Sequence, residues 1–246
     1  MSLFNILIAN HVVGIETLHF RPFAFCRDFI TDRKPEMTIQ IKQNDIDEER
    51  ARYEKVYGEC SLWDGALEVL ALHRVLSERL IEFGVILIHG AAIGCNNESY
   101  LFTAASGTGK TTHILKWLEY CQNSFIVNGD KPFILINEDG RKPLVCGSPW
   151  AGKEHYYTNT MIPLKAIVIM ERSEENHIKQ ISFAEAIPSL IQQIYRPVDE
   201  KKMRKTLKLL QRLSPSVSFW RFRCNNFKED CFRVAYNALT DDVGQS

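Results

Sequence analysis

Residues Leu101-Phe-Thr-Ala-Ala-Ser-Gly-Thr-Gly-Lys-Thr-Thr112 decide how this chain reads. Tyr100-Leu-Phe-Thr103 is the end of a buried strand. A glycine-marked loop follows, and Ile114, Leu115, Trp117 and Leu118 open an apolar helix. Strand, loop and helix in that order make a phosphate-binding arrangement. Gly107 and Gly109 lack a Cβ, so the backbone can curl there and turn its N–H groups toward an anion. The first helical turn adds N–H groups with no intrahelical acceptor and the positive end of the helix dipole. Lys110 supplies a mobile charge for the terminal phosphates. The Thr111 hydroxyl is placed to ligate the magnesium ion that travels with a nucleoside triphosphate such as ATP. Ser106, Gly107, Thr108, Gly109, Lys110, Thr111 and Thr112 are the expected nucleotide-binding residues. The common pattern starts with a glycine six residues before the lysine, and here that residue is Ala104.

Three stretches around the loop carry further chemistry. Phe125-Ile-Val127 reads as a short buried strand that delivers Asp130 at or just past its end, where a carboxylate holds magnesium or positions a nucleophile. The competing reading makes Asn128-Gly-Asp130 a plain turn. Val85-Ile-Leu-Ile88 reads as a strand next to the one feeding the loop, ending at His89-Gly90. There an imidazole can bond phosphate or move a proton, or serve as a structural group. Pro149-Trp-Ala-Gly152 leads to Lys153, whose ammonium would neutralise charge on a phosphoryl group in transfer. Glu154 and His155 are alternatives to Lys153, and Trp150 either flanks a substrate or packs. Arg196 is a weaker candidate for a phosphate contact.

Ser106-Gly-Thr-Gly-Lys-Thr-Thr112 resembles the phosphate loop of ATP-dependent phosphoenolpyruvate carboxykinases and of the HPr kinase/phosphorylase group. Leu87-Ile-His-Gly-Ala-Ala-Ile93, Ile126-Val-Asn-Gly-Asp-Lys-Pro132 and Gly147-Ser-Pro-Trp-Ala-Gly-Lys153 point the same way. The resemblance is nearest to short HPr kinase-related proteins found beside peptide-modification genes, and it spans roughly Phe83 to Tyr195. It implies an α/β, mixed-sheet P-loop nucleotide-binding fold of the HPr kinase/PEP carboxykinase type. It also implies an ATP- and magnesium-dependent kinase that transfers the γ-phosphoryl group to a hydroxyl, by resemblance a serine of a protein or peptide such as a biosynthetic precursor. The family has two adjacent aspartates where this chain has Gly129-Asp130, one a metal ligand and the other a base. Asp130 is the one carboxylate left for either role, metal ligand or base, so the metal ligands implied are Thr111 and Asp130, and the catalytic residues Asp130, His89 and Lys153. The Ile-Arg-Gly-Leu-Gly-like signature of full HPr kinase/phosphorylases is absent from the sequence, and the chain is much shorter than a carboxykinase. Ala104 and Gly129 also suit a nucleotide-binding regulatory or scaffold protein without transfer activity. A small-molecule kinase and a hydrolytic NTPase complete the rivals.

Composition narrows the classes further. The chain has 246 residues, 45% of them hydrophobic, enough for a full core. Lysine plus arginine equals aspartate plus glutamate at 30 each, which gives no support to a nucleic-acid partner. The seven cysteines are odd in number and form no Cys-x-x-Cys pair, so free thiols in a reducing cytoplasm are expected. No apolar run approaches the roughly 20 residues that span a bilayer, and no signal-peptide pattern is evident. The oligomeric state is left open, a homo-oligomer included.

Along the rest of the chain, strands are expected at Phe4–Ala9, Val12–His19 and Met37–Lys42, then a solvated helix or linker over residues 44–57. A soft boundary near Gly58 would separate a mostly β unit, 1–58, from an HPr kinase-like domain, 59–246. The first eighty or so residues could recognise substrate, form an interface or complete the core. Leu67, Leu70, Val75, Leu76 and Leu80 mark a helix stopped at Gly84. Phe133–Ile136 and Leu144–Cys146 form a hairpin around Glu138-Asp-Gly140. Leu164–Met170 and Val217–Arg223 are strands. Ser182-Phe-Ala-Glu185 is a capping box, with Pro188 a flaw in the helix it opens. A helix over residues 199–213 buries Met203, Leu207 and Leu210. Its basic residues, Lys201, Lys202, Arg204, Lys205, Lys208 and Arg212, form a solvated face or, less simply, a dock for an acidic peptide. Phe227–Leu239 closes the chain as a helix.

Overall fold

In the computed structural model, which describes residues 1–137, 139–225, 228 and 230–240, the chain divides between Phe83 and Gly84 into two compact units. The expected turn residue Glu138 and the expected helix start Phe227 lie outside the described residues.

In the first unit, β1 (Ser2–Ile8) and β2 (His11–Thr17) form an antiparallel hairpin. Ala9 and Asn10, at φ 48° and 67°, make the two-residue turn that matches strand twist. A short helix α1 (Arg21–Phe25) leads back to β3 (Met37–Gln40), parallel to β2. Phe4, Ile6, Val13, Ile15 and Ile39 alternate onto the buried face of this sheet. Helices α2 (Gln43–Tyr57) and α3 (Asp64–Leu80) follow. The composition break near Gly58 is not where the units part. Helix α3 packs on α1 and α2 and so belongs with the first unit. Helix α2 buries Ile46 and is held largely by charge, through Arg74 Nε to Glu49 Oε1 at 2.5 Å and Arg50 Nη2 to Asp64 Oδ1 at 2.5 Å. Glu68, fully buried on α3, accepts the N–H groups of Leu18 (2.6 Å) and His19 (2.9 Å) just past β2.

In the second unit the chain runs through β4 (Val85–Leu87), β5 (Ala91–Cys95), β6 (Glu98–Thr103), α4 (Lys110–Tyr120) and β7 (Ser124–Asn128). It continues through β8 (Phe133–Leu135), β9 (Leu144–Cys146), β10 (Met161–Arg172), β11 (His177–Ile181) and α5 (Phe183–Gln193). It ends with α6 (Glu200–Gln211), β12 (Ser218–Cys224) and α7 (Cys231–Thr240). The strands join in one mixed sheet in the order β4-β8-β9-β10-β6-β5-β7, with β12 also against β10 and β11 against β12. The fold class is therefore mixed α/β. Strands β6, β10 and β12 are parallel, whereas β5 is antiparallel to both β6 and β7. Strands β7, β6, β10 and β12 thus all point their carboxyl ends to the same edge of the sheet.

Two strands escape the sequence reading. Strand β5 is buried along its whole length and built from Ala-Ala-Ile-Gly-Cys, so it has neither alternation nor a β-branched run. Strand β5, not the Val85–Leu87 strand, lies beside β6; β4 stands at the far end of the sheet, a correction to the expected adjacency. Asn96 and Asn97, at φ 51° and 63°, make the tight β5–β6 turn. Strand β11 is polar on its exposed positions and covers the outer side of β12. Helix α5 carries the capping box at Ser182 and Glu185 and absorbs Pro188. Helix α6 buries Thr206, Leu209 and Leu210, a face rotated from the expected one, with Met203 and Leu207 half-buried.

Trp117 of α4 lies at the centre of the core behind the loop. Its ring sits 5.0 Å from Tyr100, 5.9 Å from Phe102, 5.7 Å from Phe232 and 5.4 Å from Tyr236. Its indole N–H donates to Nε2 of the fully buried His113 at 3.3 Å. All seven cysteines are free thiols, and six of them are buried. Among the described residues no helix is long and apolar enough to cross a membrane. Trp117→Ala removes a fully buried ring and leaves His113 without its donor. Urea unfolding is expected to show a loss of about 3–5 kcal/mol.

Candidate functional site

The loop between β6 and α4 is shaped by its two glycines, with Gly107 at φ 77° and Gly109 at φ 106°. A Cβ on Gly107 would meet nothing, so the conformation, not crowding, requires glycine there. The first bond of the helical ladder is His113 N–H to Gly109 O at 3.0 Å. The N–H groups of Lys110, Thr111 and Thr112 lie ahead of it, at the positive end of α4. The Lys110 side chain, only 8% exposed, folds back through the loop and donates to the carbonyls of Ala104 (3.0 Å) and Ala105 (3.4 Å). Burial draws its pKa below the usual lysine range, and the charge of Asp130 works against that shift. Thr111 is half-buried, while Ser106 and Thr112 are exposed.

Asp130 follows β7, and its position is set by Asn128. The fully buried Asn128 side chain accepts from the backbone N–H groups of Asp130 (2.9 Å) and Lys131 (2.7 Å). Its amide nitrogen donates to the carbonyl and the hydroxyl of Ser148 at 2.9 and 3.0 Å. The Ser148 hydroxyl in turn donates to Lys131 O at 2.9 Å. The turn expected at Asn128-Gly-Asp130 is present, and it sets where the Asp130 carboxylate points. Asp130 Oδ1 lies 3.2 Å from His89 Nε2, and Oδ2 lies 3.9 Å from Lys131 Nζ. Burial pushes the Asp130 carboxyl up. The His89 hydrogen bond and the charges of Lys131, His89 and Lys110 outweigh it, so the net shift is below the usual aspartate range.

His89 sits at the joint between β4 and β5. Its carbonyl accepts from Thr103 Oγ1 at 2.7 Å, which fixes it to the end of the loop strand. Its Nδ1 lies 2.9 Å from Gln193 Oε1 at the end of α5. With protons on both nitrogens the ring donates to Asp130 and Gln193. With the Gln193 amide turned to donate, a neutral ring still gives its one proton to Asp130.

The segment Gly147–Lys153 wraps the same carboxylate. A Cβ on Gly147 would stand 1.9 Å from Thr158 O, so only glycine fits. Gly152, at φ 80°, passes so close that a Cβ there would stand 3.2 Å from the Asp130 Cβ. Trp150 is buried and packs, which leaves the substrate-flanking alternative unsupported. Lys153 is exposed, one residue beyond this approach, and Glu154 and His155 are exposed too. Arg196 is exposed.

Asp130, Lys110, His89 and the loop therefore come together, whereas Lys153 is only the exposed residue after Gly152, whose backbone approaches Asp130. Sequence reasoning missed Ser148, Gln193 and Arg172. Ser148 and Gln193 act through partners far along the chain, and no local spacing announces them. Arg172 ends β10 and donates through Nη2 to the Gly107 carbonyl. It borders a cleft of about 470 Å³ that also touches Gly107, Thr108, Gly109 and Thr112. Among the described residues no three His, Cys, Asp or Glu side chains gather as a metal cage. Thr111 and Asp130 are the residues that could hold a magnesium ion, whose remaining ligands would be phosphates and water.

No family model and no curated protein matches the chain. Among solved structures, the HPr(Ser) kinase/phosphatase from Coxiella burnetii aligns with 62% of this chain and 89% of its own at 9% identity, with a TM-score of 0.37. A likeness of that degree fixes neither the activity nor the details of the fold.

Asn128→Ala strips two part-buried backbone N–H groups and Ser148 of their partner. It should cost about 1–3 kcal/mol in denaturant unfolding. The lowered Asp130 pKa means that its stabilising contribution is present above the ordinary value of 3.8 and lost as pH falls through the lower folded value. Asp130→Asn should flatten the fall in stability that the wild type shows as pH drops below 3.8, read by urea melts at successively lower pH.

Proposed function

We propose that this protein is an ATP- and magnesium-dependent kinase that transfers the γ-phosphoryl group to a hydroxyl of a protein or peptide, by resemblance a serine. The observation that carries the reading is buried Lys110, folded under a glycine loop at a helix start and within electrostatic reach of Asp130, which the Asn128 turn aims and His89 bonds. The loop N–H groups and Lys110 bind the β- and γ-phosphates. The acceptor oxygen attacks the γ-phosphorus, the bond to the β–γ bridging oxygen breaks, and ADP leaves with that electron pair. The acceptor proton passes to Asp130, and the His89 bond holds the carboxylate in place for it. Magnesium on the triphosphate would be held by Thr111 and Asp130 and would offset phosphate charge. Lys153, just beyond Gly152, would supply a cation for the γ-phosphoryl group. The free thiols suit a reducing cytoplasm.

One observation favours a second reading, a nucleotide-binding scaffold without transfer. A Cβ on Gly129 would stand 3.2 Å from Ala151 O and 3.4 Å from Tyr156 O, so the site has no room prepared for a second aspartate. Calorimetry and turnover separate the two. Lys110→Ala should lose magnesium-ATP affinity by tenfold or more, on the order of 1.4 kcal/mol. Asp130→Asn should keep most of that affinity while labelled-phosphate transfer to hydroxyl-bearing peptides falls by about 10²–10⁴. ATP binding by the wild type with no transfer to any peptide would favour the scaffold. No ATP binding at all would sink both readings.

A further inference from the structure

The carboxyl ends of four strands lie along one edge of the sheet in the order β12, β10, β6 and β7, with β5 between the last two. Asp130 follows β7, the glycine loop follows β6, Arg172 ends β10, and Asn225 follows β12. Ligands of open α/β sheets settle outside such carboxyl ends. If the γ-phosphate lies toward Asp130, the rest of the nucleotide has to run the other way, past Thr112 toward β10 and β12. A cleft of about 470 Å³ opens there, with the loop on one side and Arg172, Ser173 and Asn225 on the other.

That far wall is built rather than loose. Ser173 N–H donates to Cys224 O at 3.0 Å, which extends the β10–β12 pairing beyond the strands. The Asn176 side chain accepts from Asn225 N–H at 2.7 Å and donates to Asp230 Oδ1 at 2.7 Å. Arg172 is the charged side chain of the cleft. The neighbouring Glu171, on the opposite face of the strand, pairs with Arg221 at 3.2 Å and Arg223 at 3.6 Å. Among the described residues no carboxylate pairs with Arg172, and its one hydrogen bond goes to the exposed Gly107 carbonyl. An arginine in that position has a flat, weakly hydrated face free to lie on a planar ring.

We infer that this cleft is a nucleoside subsite and that Arg172 sets its affinity by laying its guanidinium on the base. The inference rests on the nucleotide reading above and adds an orientation to it, with phosphates toward β7 and the base toward β12. Binding exchanges the bond to Gly107 O for contact with the base, at small cost because both groups are exposed.

The test compares magnesium-ATP with magnesium-tripolyphosphate, which has the phosphates and no nucleoside, by calorimetry on the full chain. Arg172→Ala should weaken ATP by about tenfold, equivalent to about 1.4 kcal/mol, and leave tripolyphosphate within about twofold. Arg172→Lys, which keeps the charge and loses the plane, should behave like the alanine variant for ATP. Equal weakening of both ligands would show that Arg172 acts by holding the loop at Gly107, and would overturn the subsite. An unchanged ATP affinity in Arg172→Ala would overturn it as well, even with Lys110→Ala still impaired. A wild type that binds neither ligand removes the nucleotide reading and this inference together.

Discussion

The buried amide of Asn128 is the contact on which the site depends. Backbone groups removed from water must find partners, and an unmet one costs about as much as a lost hydrogen bond. Asn128 answers that demand for Asp130 and Lys131 with a single oxygen and passes its own nitrogen to Ser148. Two segments outside the regular strands, the turn after β7 and the run that begins at Gly147, are thereby tied together beside one carboxylate. Gly147 and Gly152 make the approach possible, the first because a side chain would strike Thr158 and the second because one would press on Asp130.

Electrostatics follow from that placement. A carboxylate brought out of water is raised in energy, and here a histidine and two lysines repay it. Lys110 meets the mirror condition: burial disfavours its charge, and Asp130 with two loop carbonyls restores it. Each charge is thus stabilised partly by the other. A dianionic phosphate entering between them would compete for Lys110 and repel Asp130, so proton and metal uptake at Asp130 would be coupled to the arrival of the ligand.

The loop was legible because everything that shapes it is local: glycines where φ is positive, a lysine and a threonine at the start of a helix. Asp130 and His89 were legible as positions at strand ends, and the hairpin, the capping box and most strands followed from periodicity. What stayed hidden is non-local. Strand β5 is too small-sided and too buried to show a period, and missing it put the wrong strand beside the loop. Ser148 meets Asn128, and Gln193 meets His89, across long stretches of chain. No local spacing marks Arg172, and only the sheet order brings it to Gly107. The unit boundary stayed hidden for the same reason, since charge composition changes at Gly58 while packing changes after α3.

Strand β10 has a consequence for how the molecule comes into being. Its first residues pair with β9, and its later ones lie between β6 and β12. Strand β6, which feeds the loop, has only the β5 hairpin for company until Leu164–Ile169 has been made and docked beside it. Contacts so distant in sequence must first meet the entropy of closing a long loop, which makes them late and slow. On the ribosome the glycine loop would leave the exit tunnel well before the strands that hold its edge. The binding edge is thus a product of the finished sheet, and a chain cut before β12 would carry every residue of the loop without the scaffold that orients it.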